Sequence, residues 1–120
     1  MRLVVLESPY AGDVAKNVAY ARMCVLDCLR RGEAPIASHL LFPAILGDCE
    51  PQRRRLGIAA GLAWVKVAHA QVFYQDLGVS PGMRAAMVEP HGGARIERRL
   101  LEECAPDLWK RFCDEHSARK

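Results

Sequence analysis

Residues 3–14 read Leu-Val-Val-Leu-Glu-Ser-Pro-Tyr-Ala-Gly-Asp-Val. Residues 3–6 form a short continuous apolar run with two valines. Such a run reads as a strand buried on both faces, the kind found in parallel sheets. Ser8-Pro9-Tyr10-Ala11-Gly12-Asp13 then breaks it with Pro and Gly. Asp13 has the side chain of a helix N-cap. Val14, Val18, Ala21, Val25 and Leu29 follow at spacings of four and three, one helical stripe. Arg30-Arg31-Gly32 closes that helix, with cations in its last turn and Gly just past it.

The same strand–turn–helix unit recurs along the chain. Residues 34–38 read as a weak second strand. Residues 39–50 read as a loop holding Pro43 and Gly47, whose Leu40, Leu41, Phe42, Ile45 and Leu46 imply that it folds back over the protein. Pro51 opens a helix to about residue 67, with Leu56, Ala60, Ala63 and Val67 as its stripe. Gly57 and Gly61, four apart, permit close packing against a neighbour. Residues 71–75 read as the third strand, 76–82 as a turn and 83–89 as a short helix. Residues 94–97 read as the fourth strand, and from about residue 98 a helical extension runs on, interrupted at Pro106. Strands alternating with helices predict an α/β fold, a three-layer sandwich around a short parallel sheet of about four strands.

Composition sets the outer bounds. The chain has 120 residues, 51% of them hydrophobic and 26% charged, which predicts one folded domain over 1–120 and excludes disorder. No apolar run approaches the roughly 18–20 residues of a membrane span, and the N-terminal run is too short for a signal peptide. The expected compartment is therefore the cytoplasm, with no membrane partner. The net charge is +3, too mild for a nucleic-acid polymer. The run Arg53-Arg54-Arg55 reads as a solvated helix end. The five cysteines show neither Cys-x-x-Cys nor zinc spacing, so reduced, mostly buried thiols and no metal are expected.

In doubly wound sheets, ligands bind beyond the carboxyl ends of the strands. That rule selects residues 8–13, Ser38-His39 and residues 76–84. Tyr10 suits stacking or a sugar hydrogen bond, and Gly12 lets a ligand approach the backbone. Asp13 is as much a cap as a ligand carboxylate, and Asn17 lies one turn further in. His39 suits a phosphate or acid role, against the alternative of a structural histidine. Asp76-Leu77-Gly78-Val79-Ser80-Pro81-Gly82-Met83 joins a buried strand to a helix N-terminus, whose free N–H groups suit an anion. It is neither a Walker A loop nor Gly-x-Gly-x-x-Gly. Gly-x-Ser-x-Gly is absent as well.

Ser8-Pro9-Tyr10-Ala11-Gly12, Asn17, Ala37-Ser38-His39 and residues 73–83, taken together, resemble the nucleoside 2-deoxyribosyltransferase-like superfamily, above all its small phage and bacterial members. The likeness covers most of residues 3–97. It implies a flavodoxin- or Rossmann-like sheet, a nucleotide-type ligand, no cofactor, and homo-oligomers with shared pockets. It further implies ligand contacts at Ser8, Tyr10, Gly12, Asp13, Asn17, His39, Ser80, Gly82 and Met83; Arg84, where the chain departs from the family, offers a cation suited to a phosphate. In the family's enzymes a glutamate at the start of the third helix attacks the anomeric carbon, a step that needs a carboxylate within reach of the sugar. Here Arg84 and Ala86 occupy that place, and Glu89 lies about two turns into the helix. Asp76 matches a family acid at the strand end.

Three readings follow. The first is a binder of a nucleoside, nucleotide or nucleotide-derived molecule without the glutamate chemistry. The second is a nucleoside deoxyribosyltransferase or nucleotide N-glycosidase with Asp76 as catalytic carboxylate. The third is an interaction module with a vestigial pocket, in which Trp64, Trp109 and the Gly57/Gly61 face serve assembly.

Overall fold

In the computed structural model, which describes residues 1–47, 49–88 and 92–116, the apolar run of the N-terminus is strand β1 (Arg2–Glu7). It pairs in parallel with β2 (Glu33–Ile36) on one side and β3 (Ala70–Tyr74) on the other. β4 (Arg95–Arg99) pairs in parallel with β3, so the sheet order is β2-β1-β3-β4. The α/β class and the four-stranded parallel sheet stand as expected.

α1 (Val14–Arg30) connects β1 to β2. α2 (Ser38–Leu46) and α3 (Pro51–Val65) connect β2 to β3, and α4 (Pro81–Val88) connects β3 to β4. The first crossover moves one way along the sheet and the other two move the opposite way. Right-handed crossovers therefore set α1 on one face and α2, α3 and α4 on the other. α5 (Leu101–Cys104) and α6 (Pro106–His116) return to the α1 side. There Tyr20, Cys24 and Cys28 pack with Leu101, Leu108 and Phe112 over Val4, Leu6, Val72 and Tyr74.

Several local expectations are corrected. The stripe of α1 runs through Asn17, Tyr20, Ala21, Cys24, Asp27 and Cys28, while Val14 and Leu29 are exposed. The buried face is half polar because its polar members have partners. Asp27 accepts from the Tyr74 hydroxyl at 2.6 Å and from Arg31 at 2.9 Å. Residues 39–46, expected as loop, are helix α2. Pro43 lies inside it, and Gly47, at φ +75°, ends it by donating its N–H to the Pro43 carbonyl. Packing overrides the proline: Gly57 and Gly61 of α3 form the surface on which α2 lies. A Cβ added at Gly61 would meet Ser38 Oγ at 2.9 Å. The Gly57/Gly61 face is thus used within the chain and is not an assembly surface. β4 also runs two residues beyond the expected end.

Leu56 and Val67, expected in the α3 stripe, are 60% and 64% exposed. Cys24 and Cys28 are buried, but Cys49 and Cys104 are exposed, so the thiols are less buried than expected. Among the described residues no helix is long and apolar enough to cross a membrane. Glu89, the nearest glutamate downstream of Gly82, lies outside the described residues.

Candidate functional site

The winding of the parallel sheet reverses between β1 and β3, and beyond the carboxyl ends of two such strands doubly wound sheets take their ligands. β1 delivers Glu7 and Ser8 there. Ser8 is buried, and its Oγ lies 2.7 Å from His39 Nε2. His39 stands in the first turn of α2, so this bond ties the end of β1 to the start of that helix. Burial pulls the His39 ring down to a pKa of about 4. At neutral pH the imidazole is therefore uncharged and a weak base. That argues against Ser8 as a nucleophile activated by His39, because general-base action needs a pKa near the working pH.

The loop after Ser8 is held open by a side chain. Asn17, buried in α1, donates from Nδ2 to the carbonyls of Tyr10 and Ala11, both at 2.9 Å. Gly12 takes φ +98° and is exposed, with open space where a Cβ would stand. Asp13 is the N-cap of α1 and accepts from the Lys16 N–H at 3.2 Å. Of this group, Tyr10 is half-buried and Gly12 exposed. Asn17 and Asp13 shape the loop.

At the third strand end the arrangement differs from expectation. Asp76 Oδ1 accepts from the Tyr20 hydroxyl and from the Leu101 N–H at 2.8 Å, and Oδ2 accepts from the Glu102 N–H at 3.1 Å. Both oxygens are thus occupied in capping α5 on the α1 side. Ser80 caps α4, its Oγ accepting from the Met83 N–H at 3.2 Å. Met83 is buried, which makes it core. Gly82 and Arg84 are exposed at the start of α4, and Arg84 makes no side-chain hydrogen bond or ion pair among the described residues.

Glu7 and Gln71 belong to the site and escape the sequence reading. Val5 is in register with Gln71, and Glu7 with Phe73. Period-two alternation sets Glu7 and Gln71 on the same sheet face. Gln71 is 1% exposed, and its Nε2 donates to Glu7 Oε2 at 3.3 Å. Burial raises the Glu7 carboxyl to a pKa of about 7, against the opposing pull of Gln71. A carboxyl at that pKa can hold or release a proton at neutral pH. The available signal was the glutamate directly behind the apolar run, facing a glutamine in another buried strand.

Residues 2–105 match the DUF7768 family, described as a domain of unknown function. The chain belongs to this family. The DUF7768 match covers β1 through α5 and stops before α6, although Leu108 and Phe112 of α6 are buried in the core beneath α1. No curated protein and no solved structure matches the chain. Among the described residues no group of three or more His, Cys, Asp or Glu is placed to hold a metal ion.

Proposed function

We propose that the crevice beyond β1 and β3 binds a nucleoside, nucleotide or nucleotide-derived small molecule, without a glutamate nucleophile on α4. The observation that carries this reading is the Ser8–His39 bond beside the switch point of the β2-β1-β3-β4 sheet. It supports a built recognition corner at the place where doubly wound sheets take ligands. Tyr10 supplies an aromatic surface, Gly12 an approachable backbone, and Arg84 a cation without a partner among the described residues, at a helix start, for an anionic group. Titration calorimetry against a panel of nucleosides and mono- and diphosphates tests this. At least one member binds wild type, and Tyr10→Ala weakens it about tenfold. Folded protein that binds none of them refutes the reading.

One observation favours a second reading, cleavage of an N-glycosidic bond. Glu7, with its carboxyl near neutrality, suits a general acid better than Asp76, whose oxygens are taken up by Tyr20, Leu101 and Glu102. Protonated Glu7 would give its proton to the departing base. The resulting carboxylate would take one from the water that adds to the anomeric carbon. Base release from nucleosides and nucleoside monophosphates is the assay. Loss with Glu7→Gln and retention in a folded Asp76→Asn protein would assign the acid. Equal activity of wild type and Glu7→Gln would remove it.

We further propose that a second copy of the chain completes the crevice. Ile45, Leu56, Ile58 and Trp64 are exposed on α2 and α3. A partner copy laid on this layer would take these side chains out of water.

A further inference from the structure

The two edges of the sheet are treated differently. β2 carries Pro35, which lacks an N–H and guards that edge. β4, the other edge, reads Arg95-Ile96-Glu97-Arg98-Arg99 and has no proline. The Arg95 N–H donates to the His69 carbonyl and the Arg99 carbonyl accepts from the Gln75 N–H. In a parallel ladder alternate residues bond the same neighbour. The backbone groups of Ile96 and Arg98 therefore point away from the sheet. A recess of about 600 Å³ runs along this edge, lined by Arg31, Gln75, Arg95, Arg98, Glu103 and Cys104 among others.

Charge sorts the possible occupants. Arg99 is paired with Glu33 and Glu97, and Arg31 with Asp27. Arg95 and Arg98 are exposed and make no side-chain hydrogen bond or ion pair among the described residues. A second copy of this strand is a poor occupant. Antiparallel pairing about Glu97 would set Arg95 against Arg99 and Glu97 against Glu97, like charges opposite one another.

We infer that the β4 edge receives an extended acidic segment of a partner protein as a fifth strand. Its backbone bonds Ile96 and Arg98, and its carboxylates meet Arg95 and Arg98. These two arginines are three residues apart and on opposite faces. The matching segment carries acidic residues at i and i+3, one directed to each face.

The probe is a capped peptide alternating Thr and Val, with two glutamates three apart, followed by fluorescence anisotropy. Three companions complete the set: the same peptide with lysines for glutamates, one N-methylated on alternate backbone nitrogens, and inorganic triphosphate as competitor. The glutamate peptide binds wild type and the lysine peptide does not. Arg95→Glu/Arg98→Glu, checked for folding by circular dichroism, weakens the glutamate peptide at least tenfold and gains the lysine peptide. N-methylation in the bonding register weakens binding at least tenfold. Four results overturn the proposal. They are equal binding of both peptides, no binding to folded wild type, indifference to N-methylation in either register, and displacement by triphosphate at equal charge, which would mark a bare anion site.

Discussion

Glu7 and His39 flank Ser8 and titrate in opposite senses. Burial raises Glu7 from an ordinary 4.5 to about 7. Folding favours its protonated form, so its contribution is full below pH 4.5 and is lost as pH rises through 7. Burial lowers His39 from 6.5 to about 4. Folding favours the neutral ring, so that contribution is full above pH 6.5 and is lost as pH falls through 4. Each shift is linked to roughly 3 kcal/mol of stability. Between about pH 4.5 and 6.5 the two slopes oppose, and their sum in wild type is nearly flat. Glu7→Gln unmasks a stability that rises from pH 4 to 6.5, and His39→Gln one that falls from 4.5 to 7. Thermal melts in half-unit pH steps check this; parallel profiles for all three proteins would refute it. At this scale the sequence was legible for the placement of Tyr10 just past β1 and His39 just past β2, which the strand-end rule picks out. It was not legible for Asp76. Its partners Tyr20 and Leu101 come from distant parts of the chain, and no local pattern records that three donors converge on one carboxylate.

α2 and α3 show how far an element can be read from its own residues. Pro43 and Gly47 are breaker signals, and in isolation they outweigh a nine-residue helix. The helix forms because α3 offers Gly57 and Gly61 as a bed. Gly61→Ala tests that dependence. Alanine gains about 1 kcal/mol of helix propensity over glycine. Its Cβ would stand 2.9 Å from Ser38 Oγ and 3.2 Å from Ser38 Cβ, and such overpacking costs about 1–3 kcal/mol. A net loss of about 1 kcal/mol in urea denaturation is expected, with a weakened Ser8–His39 contact visible in the His39 ring NMR signals. Unchanged stability together with unchanged His39 signals would show that α2 does not depend on the glycine. The α1 stripe failed for a related reason. Hydrophobicity marks Val14 and Leu29, but the sheet below presents Tyr74 and Arg99 and the turn after β3 presents Asp76, so the helix turns its polar residues inward.

Over the whole molecule, the sheet is crossed by a closed ring of charges. Arg2 pairs with Glu33 and Glu97, and Arg99 pairs with the same two carboxylates. The bond from Arg2 foremost holds Glu97 down at about 2. Residues from β1, β2 and β4 thereby fix one another across the intervening β3. Arg99 and Glu33 are buried. Arg99→Met leaves buried Glu33 with Arg2 as its remaining ion-pair partner and should cost about 3 kcal/mol in urea denaturation, the low end for breaking a buried pair. A loss below 1 kcal/mol would show that the ring is not needed for stability. The apolar α2/α3 face makes a second prediction at this scale. Light scattering should give a dimer or larger assembly for wild type, and Ile58→Glu/Trp64→Glu should give a monomer of unchanged fold. A wild type that stays monomeric at high concentration would remove the assembly proposal. The strand–helix alternation made the architecture legible before any contact was known. The charged ring was not, because its members are widely separated in the chain.

The strand order also has a consequence in time. β1 is interior, yet its partner β3 arrives only after α1, β2, α2 and α3 have been made. During synthesis, at roughly 5–20 residues per second, β1 therefore waits seconds with one side unpaired. Its apolar Val4, Val5 and Leu6 are an aggregation hazard until residues 70–74 leave the ribosome. Slowed translation between α3 and β3 should lower soluble yield more than the same delay placed after β4.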